Sequence, residues 1–390
     1  MTTTIYTSDA CPADIAGRVE TPSYLISEDI IRENCAILEE VQRRSGARIL
    51  LALKAFALPA LFPLIGRSLQ GVCASGPIEA RLGREDFKKE VHTYSPAYSE
   101  EQMGRVIQYS DHILFNSISQ WNRHKAAIAG SGKDIEVGLR VNPGYSEVAT
   151  ALYNPCLPGS RFGIQPADLE NIDLKGISGL HFHAMCEQNA DVLARILERF
   201  EERFGRYINQ LKWVNFGGGH HITRSDYDLD LLCRTITDFK NRHQVEVYLE
   251  PGEAVVLNGG FFVTSVLDIM HNGMDIAILD SSAETHLPDV LAMPYRAEIP
   301  KSDEPQQLPY TYRLGGISCL AGDIIGDYSF AHPLACGDRL VMTDMALYTF
   351  VKNTTFNGVE LPSIYTYSLK KGTLERIRKF GYEDYRSRLA

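Results

Sequence analysis

Ile49-Leu50-Leu51-Ala52-Leu53-Lys54-Ala55-Phe56 is an apolar run that carries one lysine and then breaks toward Pro59. As a buried strand it delivers an ammonium to the end of a hydrophobic element, where leaving water is costly. Burial disfavours the charged amine, which is one route by which a lysine becomes nucleophilic toward carbonyls. Taken alone, the lysine equally fits a strand-end side chain whose stem lies on apolar surface while its ammonium reaches solvent. Residues 49–65 are apolar enough to raise a membrane span, but Lys54, Pro59 and Pro63 interrupt them. A charge and two prolines in so short a segment argue against a bilayer helix.

Around this run the chain alternates strand-like and helix-like segments. Apolar or β-branched runs recur at 49–53, 71–74, 91–94, 112–115, 135–141, 179–183, 213–216 and 245–249. Helical patterns at 77–87, 100–109, 120–129, 189–208 and 225–242 separate most of them. Eight strand–helix alternations in about 250 residues predict a parallel (β/α)8 barrel. The connection over 144–161, rich in Tyr, Asn, Pro and Gly, is long enough to predict an active-site loop or an interface. A short strand at 24–26 precedes the barrel, and Ser27 offers an N-cap to an amphipathic helix running to about 44.

After Pro251 the pattern changes. Runs at 261–270, 275–279, 295–299, 310–314, 338–343 and 362–367 lack crossover helices and are separated by turn signals such as Asn272-Gly273 and Asn357-Gly358. They predict an antiparallel β domain. The expected organisation is a barrel over 27–260 and a β domain from 1–26 and 261–390, with the strand at 24–26 joining the latter.

Composition fits two domains with ample cores: 390 residues, 44% hydrophobic. The net charge of −10 argues against a nucleic-acid partner and suits a cationic ligand. The eight cysteines are scattered without a Cys-x-x-Cys pair, and residues 1–10 lack the apolar core of a secretion signal. Reduced thiols in a cytoplasmic protein are the economical expectation.

In a barrel the C-terminal strand ends face the active site. Here those ends carry Lys54, Ala74-Ser75-Gly76, Asn116-Ser117, Arg140 and Asn142, His181-Phe182-His183, Gly217-Gly218-Gly219-His220-His221 and Glu250-Pro251-Gly252-Glu253. A glycine run between strand and helix suits close backbone approach to a phosphate, though it also serves as a plain turn. The His-x-His pair invites a metal, but no Asp or Cys ligands stand at metal spacing, so no metal is expected. A buried Glu250 needs a partner, and a protonated pyridine nitrogen would be one. Together these groups describe a pyridoxal 5'-phosphate site. Lys54 would hold the aldehyde as a Schiff base, and His183 would lie against the ring. Gly217, Gly218 and Gly219 would hold the phosphate, and Glu250 would keep the ring nitrogen protonated.

The motifs Leu53-Lys54-Ala55, His181-Phe182-His183, Gly217-Gly218-Gly219 and Glu250-Pro251-Gly252 are followed by Cys319-Leu320-Ala321-Gly322-Asp323, Ala346-Leu347-Tyr348-Thr349 and Phe356-Asn357-Gly358. In this order the chain resembles the barrel-type pyridoxal phosphate decarboxylases, the group of ornithine and diaminopimelate decarboxylases. Residues 181–187 and 250–254, with Leu287-Pro288-Asp289 and Met293-Pro294-Tyr295, are similar to the branch acting on carboxynorspermidine and carboxyspermidine. The resemblance implies an alanine-racemase-like barrel, Tyr348 on the cofactor phosphate, and Glu253 and Asp289 on the amine tail of a cationic carboxylated triamine. It also implies a homodimer with shared active sites, to which Cys319 and Asp323 come from the partner subunit. Asp323 would face substrate, and Cys319 would return a proton to Cα after CO2 leaves.

Two departures bear on the substrate. Relatives acting on diamino acids usually carry an arginine after Glu-Pro-Gly, where this chain has Glu253, and an acid after the cysteine, where it has Leu320. A carboxylate at 253 suits several ammonium groups. A diamino-acid decarboxylase, a cofactor-free regulatory paralogue and a barrel metal hydrolase are the alternative readings.

Overall fold

The protein is described by a computed structural model covering residues 3–170 and 172–390; the first two residues of the expected segment 1–26 and Asn171 lie outside the described residues. It divides into two compact units, 32–255 and 1–31 with 256–390. The chain thus passes between them within the helices Glu28–Ser45 and Glu253–Val256.

In the unit 32–255, eight parallel strands close a barrel: Arg48–Ala52, Gly71–Ala74, Glu90–Tyr94, His112–Phe115, Glu136–Arg140, Gly179–His181, Trp213–Asn215 and Glu246–Leu249. The eighth returns to the first with Tyr248 opposite Arg48 and Leu249 opposite Ile49. Strands covered on both faces are apolar along their length, which is why Ile49–Leu51 are fully buried. Trp213 fills the barrel interior with Leu50, Leu114 and Tyr248. It has room because strand six opens on Gly179, where an added Cβ would stand 2.1 Å from the indole.

The outer helices follow their caps. Ser99 and Gln102 form a capping box on Glu100–Tyr109, and Ser117 caps Ile118–Gly130. Asn189 caps Ala190–Ile208, and Asp228 caps Leu229–His243. The helix expected over 77–87 is an α-helix, Pro77–Leu82, finished by a π turn, Gly83–Phe87.

The other unit is a sheet centred on the long strand Gly260–His271, which pairs antiparallel with Asp275–Leu279, Arg339–Thr343 and Ser23–Ser27. Its pairing is mostly antiparallel, as expected. Ser363–Ser368 beside Ser23–Ser27, Tyr310–Gly315 beside Asp275–Leu279 and Ile5–Tyr6 beside Arg339–Thr343 are parallel additions. A parallel neighbour needs a connection that leaves the sheet, and between Asp275–Leu279 and Tyr310–Gly315 that connection holds the short helices Ala283–His286 and Pro288–Ala292. The strand expected at 295–299 does not form; this stretch is irregular and interrupted by its own proline signals at Pro294 and Pro300. Strands Ile324–Phe330 and Thr373–Arg378 were not expected, the first because it holds Gly326-Asp327 and the second because it is largely exposed and charged.

Candidate active site

The glycine turn sits at the end of barrel strand seven. Gly217 and Gly219 have φ of +71° and +85°, and a Cβ at Gly219 would lie 2.1 Å from the Met185 carbonyl oxygen. Only glycine fits both demands. The Gly217 N–H donates to Asn215 Oδ1 at 2.8 Å, and the Gly218 N–H donates to His183 Nδ1 at 3.0 Å. Two of the three amide donors expected to face a phosphate are therefore engaged inside the protein. The Gly219 N–H has no partner among the described residues.

These bonds fix His183. Its Nδ1 also lies 3.1 Å from the Gly218 carbonyl oxygen, so either tautomer of the neutral ring finds a partner on Gly218, accepting from its N–H or donating to its carbonyl. The ring is neutral, since burial and then the charges of Lys54 and Arg140 push it well below the usual histidine range. Arg140, at the end of strand five, donates from Nη2 to the His183 carbonyl at 3.3 Å. Its guanidinium lies 4.7 Å from the Tyr94 ring centre and 4.3 Å from that of Phe162.

Asn215 links the glycine turn to the carboxylate. Its Nδ2 donates to Glu250 Oε1 at 2.7 Å, and the Glu250 N–H donates to the Gly217 carbonyl at 2.8 Å. His181 Nε2 lies 3.5 Å from Glu250 Oε2. Burial alone pushes the Glu250 carboxyl up, but His181, His92 and Asn215 outweigh it and hold the group at about 2. Glu250 is an ionised carboxylate inside a barrel mouth.

Lys54 differs from its expectation. It lies in a turn just past strand one, closed by Ala55 N–H to the Ala52 carbonyl at 3.0 Å, and its side chain is exposed between buried Leu53 and Ala55. Its charge still bears on His183, His181, Cys73 and Cys186, so it belongs to the same barrel mouth. Glu253 opens the helix after strand eight and is 9% exposed. His221 Nε2 lies 3.7 Å from its Oε2, and burial followed by the Glu253 charge pushes the Cys186 thiol up to about 12.

In the sheet unit, Asp289 opens the helix Pro288–Ala292 and accepts from Lys352 Nζ at 2.5 Å. Tyr348 precedes the helix Thr349–Lys352 with φ of +37°, an unusual conformation for a bulky residue and a mark of a constrained site. Cys319 is exposed on a loop where its N–H donates to Asn357 Oδ1 at 2.7 Å. Asp323, expected to face substrate, is instead turned inward and 5% exposed. Its Oδ1 accepts from the N–H groups of Ala283 at 2.6 Å and Glu284 at 3.3 Å, and its Oδ2 from Ser318 at 2.9 Å. It caps the helix Ala283–His286 and ties down the Cys319 loop. Sequence reasoning gave no role to Asn215 or Lys352, whose signals are a polar residue inside an apolar strand and a lysine one turn beyond Tyr348.

The group of metal-ligating side chains Glu90, His92 and His112 lies at the opposite, N-terminal strand ends. The two rings stack in parallel, 3.8 Å apart, and both Nε2 atoms face Glu90 Oε1, at 3.3 Å from His92 and 2.9 Å from His112. Glu90 already accepts from Arg48 at 2.7 Å and from Tyr248 at 3.2 Å. This is a hydrogen-bonded barrel floor.

A family model described as pyridoxal-dependent decarboxylase, C-terminal sheet domain, matches residues 23–346. The chain is 44% identical to a carboxynorspermidine/carboxyspermidine decarboxylase of Campylobacter jejuni, over 94% of this chain and 98% of that protein. It is 43% identical to a carboxyaminopropylagmatine decarboxylase of Synechocystis, over 95% of each. Among solved structures, Campylobacter jejuni carboxynorspermidine decarboxylase in complex with norspermidine superposes with a TM-score of 0.88 at 42% identity, covering 95% of this chain and all (100%) of that one. Diaminopimelate decarboxylase from Helicobacter pylori, at 16% identity and a TM-score of 0.84, shares the fold. With a closed parallel barrel, an ionised strand-end carboxylate and near full-length likeness to such proteins, the chain belongs to the pyridoxal-dependent decarboxylase family, in the branch of the carboxynorspermidine/carboxyspermidine decarboxylases.

Proposed function

We propose that this protein binds pyridoxal 5'-phosphate and decarboxylates carboxynorspermidine, carboxyspermidine or both to the triamine and CO2 in polyamine biosynthesis. The observation that carries the substrate class is Glu253, a carboxylate 9% exposed in the first turn after strand eight. An ammonium entering the barrel mouth meets a counter-charge there, and charge-assisted hydrogen bonds to a carboxylate are among the strong ones.

The residues fit the cofactor. Lys54, exposed at the mouth, has an amine free to reach an aldehyde, and the ionised Glu250 suits a protonated pyridine nitrogen. The glycine turn, chiefly the Gly219 N–H, and Tyr348 would hold the phosphate. When bound, the cofactor supplies an electron sink for the pair left behind by departing CO2. Asn215 orients Glu250 through the 2.7 Å hydrogen bond, and His181 helps keep it ionised. His183, held neutral, presents a flat uncharged ring to the cofactor's face. Glu253 and Asp289 orient the amine tail, and Cys319 returns a proton to Cα. We place Cys319 in the partner subunit's site, within a cytoplasmic homodimer; Asp323 serves by holding the Cys319 loop.

The test is CO2 release from both carboxylated triamines, from carboxyaminopropylagmatine, and from ornithine, lysine and diaminopimelate. Borohydride reduction followed by peptide mapping reports attachment at Lys54. Release from a triamine with reduction at Lys54 is expected. Release from a diamino acid alone would overturn the role of Glu253, and no cofactor uptake would favour a regulatory paralogue.

A further inference from the structure

The Asp289 carboxylate, which the proposed function gives to the substrate's amine tail, already carries an ammonium from its own chain. Lys352 Nζ lies 2.5 Å from Asp289 Oδ1 and 5.4 Å from the centre of the Tyr348 ring. The two partners differ in their surroundings: the Asp289 side chain is 16% exposed and that of Lys352 is 42% exposed. A carboxylate so nearly enclosed is costly to leave unpaired, whereas a lysine at the edge of water can leave on its flexible stem and be hydrated at once. The pair is therefore asymmetric. Its anion is fixed in the helix Pro288–Ala292, and its cation is the mobile member at the end of Thr349–Lys352.

We infer that Lys352 is a specificity-determining residue that acts by ion exchange: its ammonium occupies Asp289 between turnovers, yields to the substrate's ammonium, and returns as the triamine product leaves. Asp289 is never buried bare during this exchange, so its desolvation cost is met once, in folding. The exchange costs affinity, because any incoming amine competes with a tethered one. It also sets a threshold. A ligand whose cation cannot reach Asp289 leaves the Lys352 pair intact and gains nothing there. A product amine, once its remaining contacts loosen, is displaced by a cation that is always at hand. The Tyr348 ring beside Lys352 gives the ammonium an aromatic face on the way out.

This inference rests on the proposed role of Asp289 and is tested on the holoenzyme with Lys352→Met, which keeps the stem and removes the charge. KM for the carboxylated triamine is expected to fall about fivefold, which is about 1 kcal/mol and in keeping with a half-exposed competing pair. Calorimetric Kd for the product triamine is expected to fall equally, and kcat to fall as product lingers. In an Asp289→Asn background the Lys352→Met change is expected to have no effect on either constant. Lys371→Met, which removes a similarly exposed lysine from its pair with Glu28 at 2.7 Å, controls for net charge and is expected to change neither. An unchanged or raised KM and Kd in Lys352→Met overturns the exchange, as does an equal gain in Lys371→Met or a persisting gain in the Asp289→Asn background. Failure of the functional reading looks different: wild-type holoenzyme would then release no CO2 from any carboxylated triamine.

Discussion

Replacing Asp323 by asparagine or alanine separates a scaffold carboxylate from a substrate ligand. Two short bonds, to the N–H groups of Ala283 and Ser318 at 2.6 and 2.9 Å, and a longer one to Glu284 at 3.3 Å, end on its two oxygens. A hydrogen bond to a charged acceptor contributes roughly 1.5–3 kcal/mol, and a donor stranded in a buried place costs about as much as it loses. Alanine removes both short bonds, so a loss of roughly 3–6 kcal/mol follows; asparagine keeps one acceptor and loses roughly half of that. At roughly 2–4 °C per kcal/mol, the alanine variant melts roughly 6–24 °C lower. Thermal unfolding followed by circular dichroism measures this, and steady-state kinetics supplies the second readout. A loosened Cys319 loop lowers kcat for every accepted substrate alike, with KM little changed. If Asp323→Asn instead melts with the wild type and raises KM only for substrates with a distal amine, Asp323 is a substrate ligand after all, and the reasoning from its backbone partners fails.

Glu253→Gln leaves the shape of the mouth and removes its counter-charge, so KM for a carboxylated triamine rises about tenfold to a hundredfold while a monoamine analogue is little affected. Gly219→Ala forces a side chain into a φ of +85° against the Met185 carbonyl, and the protein is expected to lose more than about 2 kcal/mol in urea unfolding along with affinity for the cofactor. Glu250→Gln has a pH signature: the carboxyl is held at about 2, below its ordinary value of 4.5, so the ionised form stabilises the fold above the unfolded pKa. That contribution is lost as pH falls from about 5 toward 2, so wild type and variant converge in acid. Unfolding free energies that stay parallel across that range would contradict the assignment of Glu250 as the depressed group.

What the sequence makes legible here is periodic or local. The eight barrel strands are apolar because both faces are covered, and the strand ends follow from their positions in that count. So Lys54, His183, the glycine turn, Glu250 and Glu253 could be placed at one end of a barrel from the sequence. The irregular stretch at 295–299 and the strand Ile324–Phe330 escape the same logic, because prolines flank the first and a glycine breaks the apolar pattern of the second. What each charged group does once placed depends on partners distant in sequence, and there residue type misleads. Lys54 ends an apolar run yet is exposed, because it lies in the turn after the strand and not in the strand itself. Asp323 lies in a family motif beside Cys319 yet spends its Oδ1 on N–H groups about forty residues away in the chain, a contact no spacing rule anticipates. Asp289 and Lys352 are likewise distant in sequence and adjacent in space. The same physics accounts for both acids: an enclosed carboxylate must be paired, and the kind of partner decides its role. Backbone N–H groups cannot leave, so Asp323 is fixed in the scaffold; a lysine ammonium at the edge of water can leave, so Asp289 stays available to an exchanging cation.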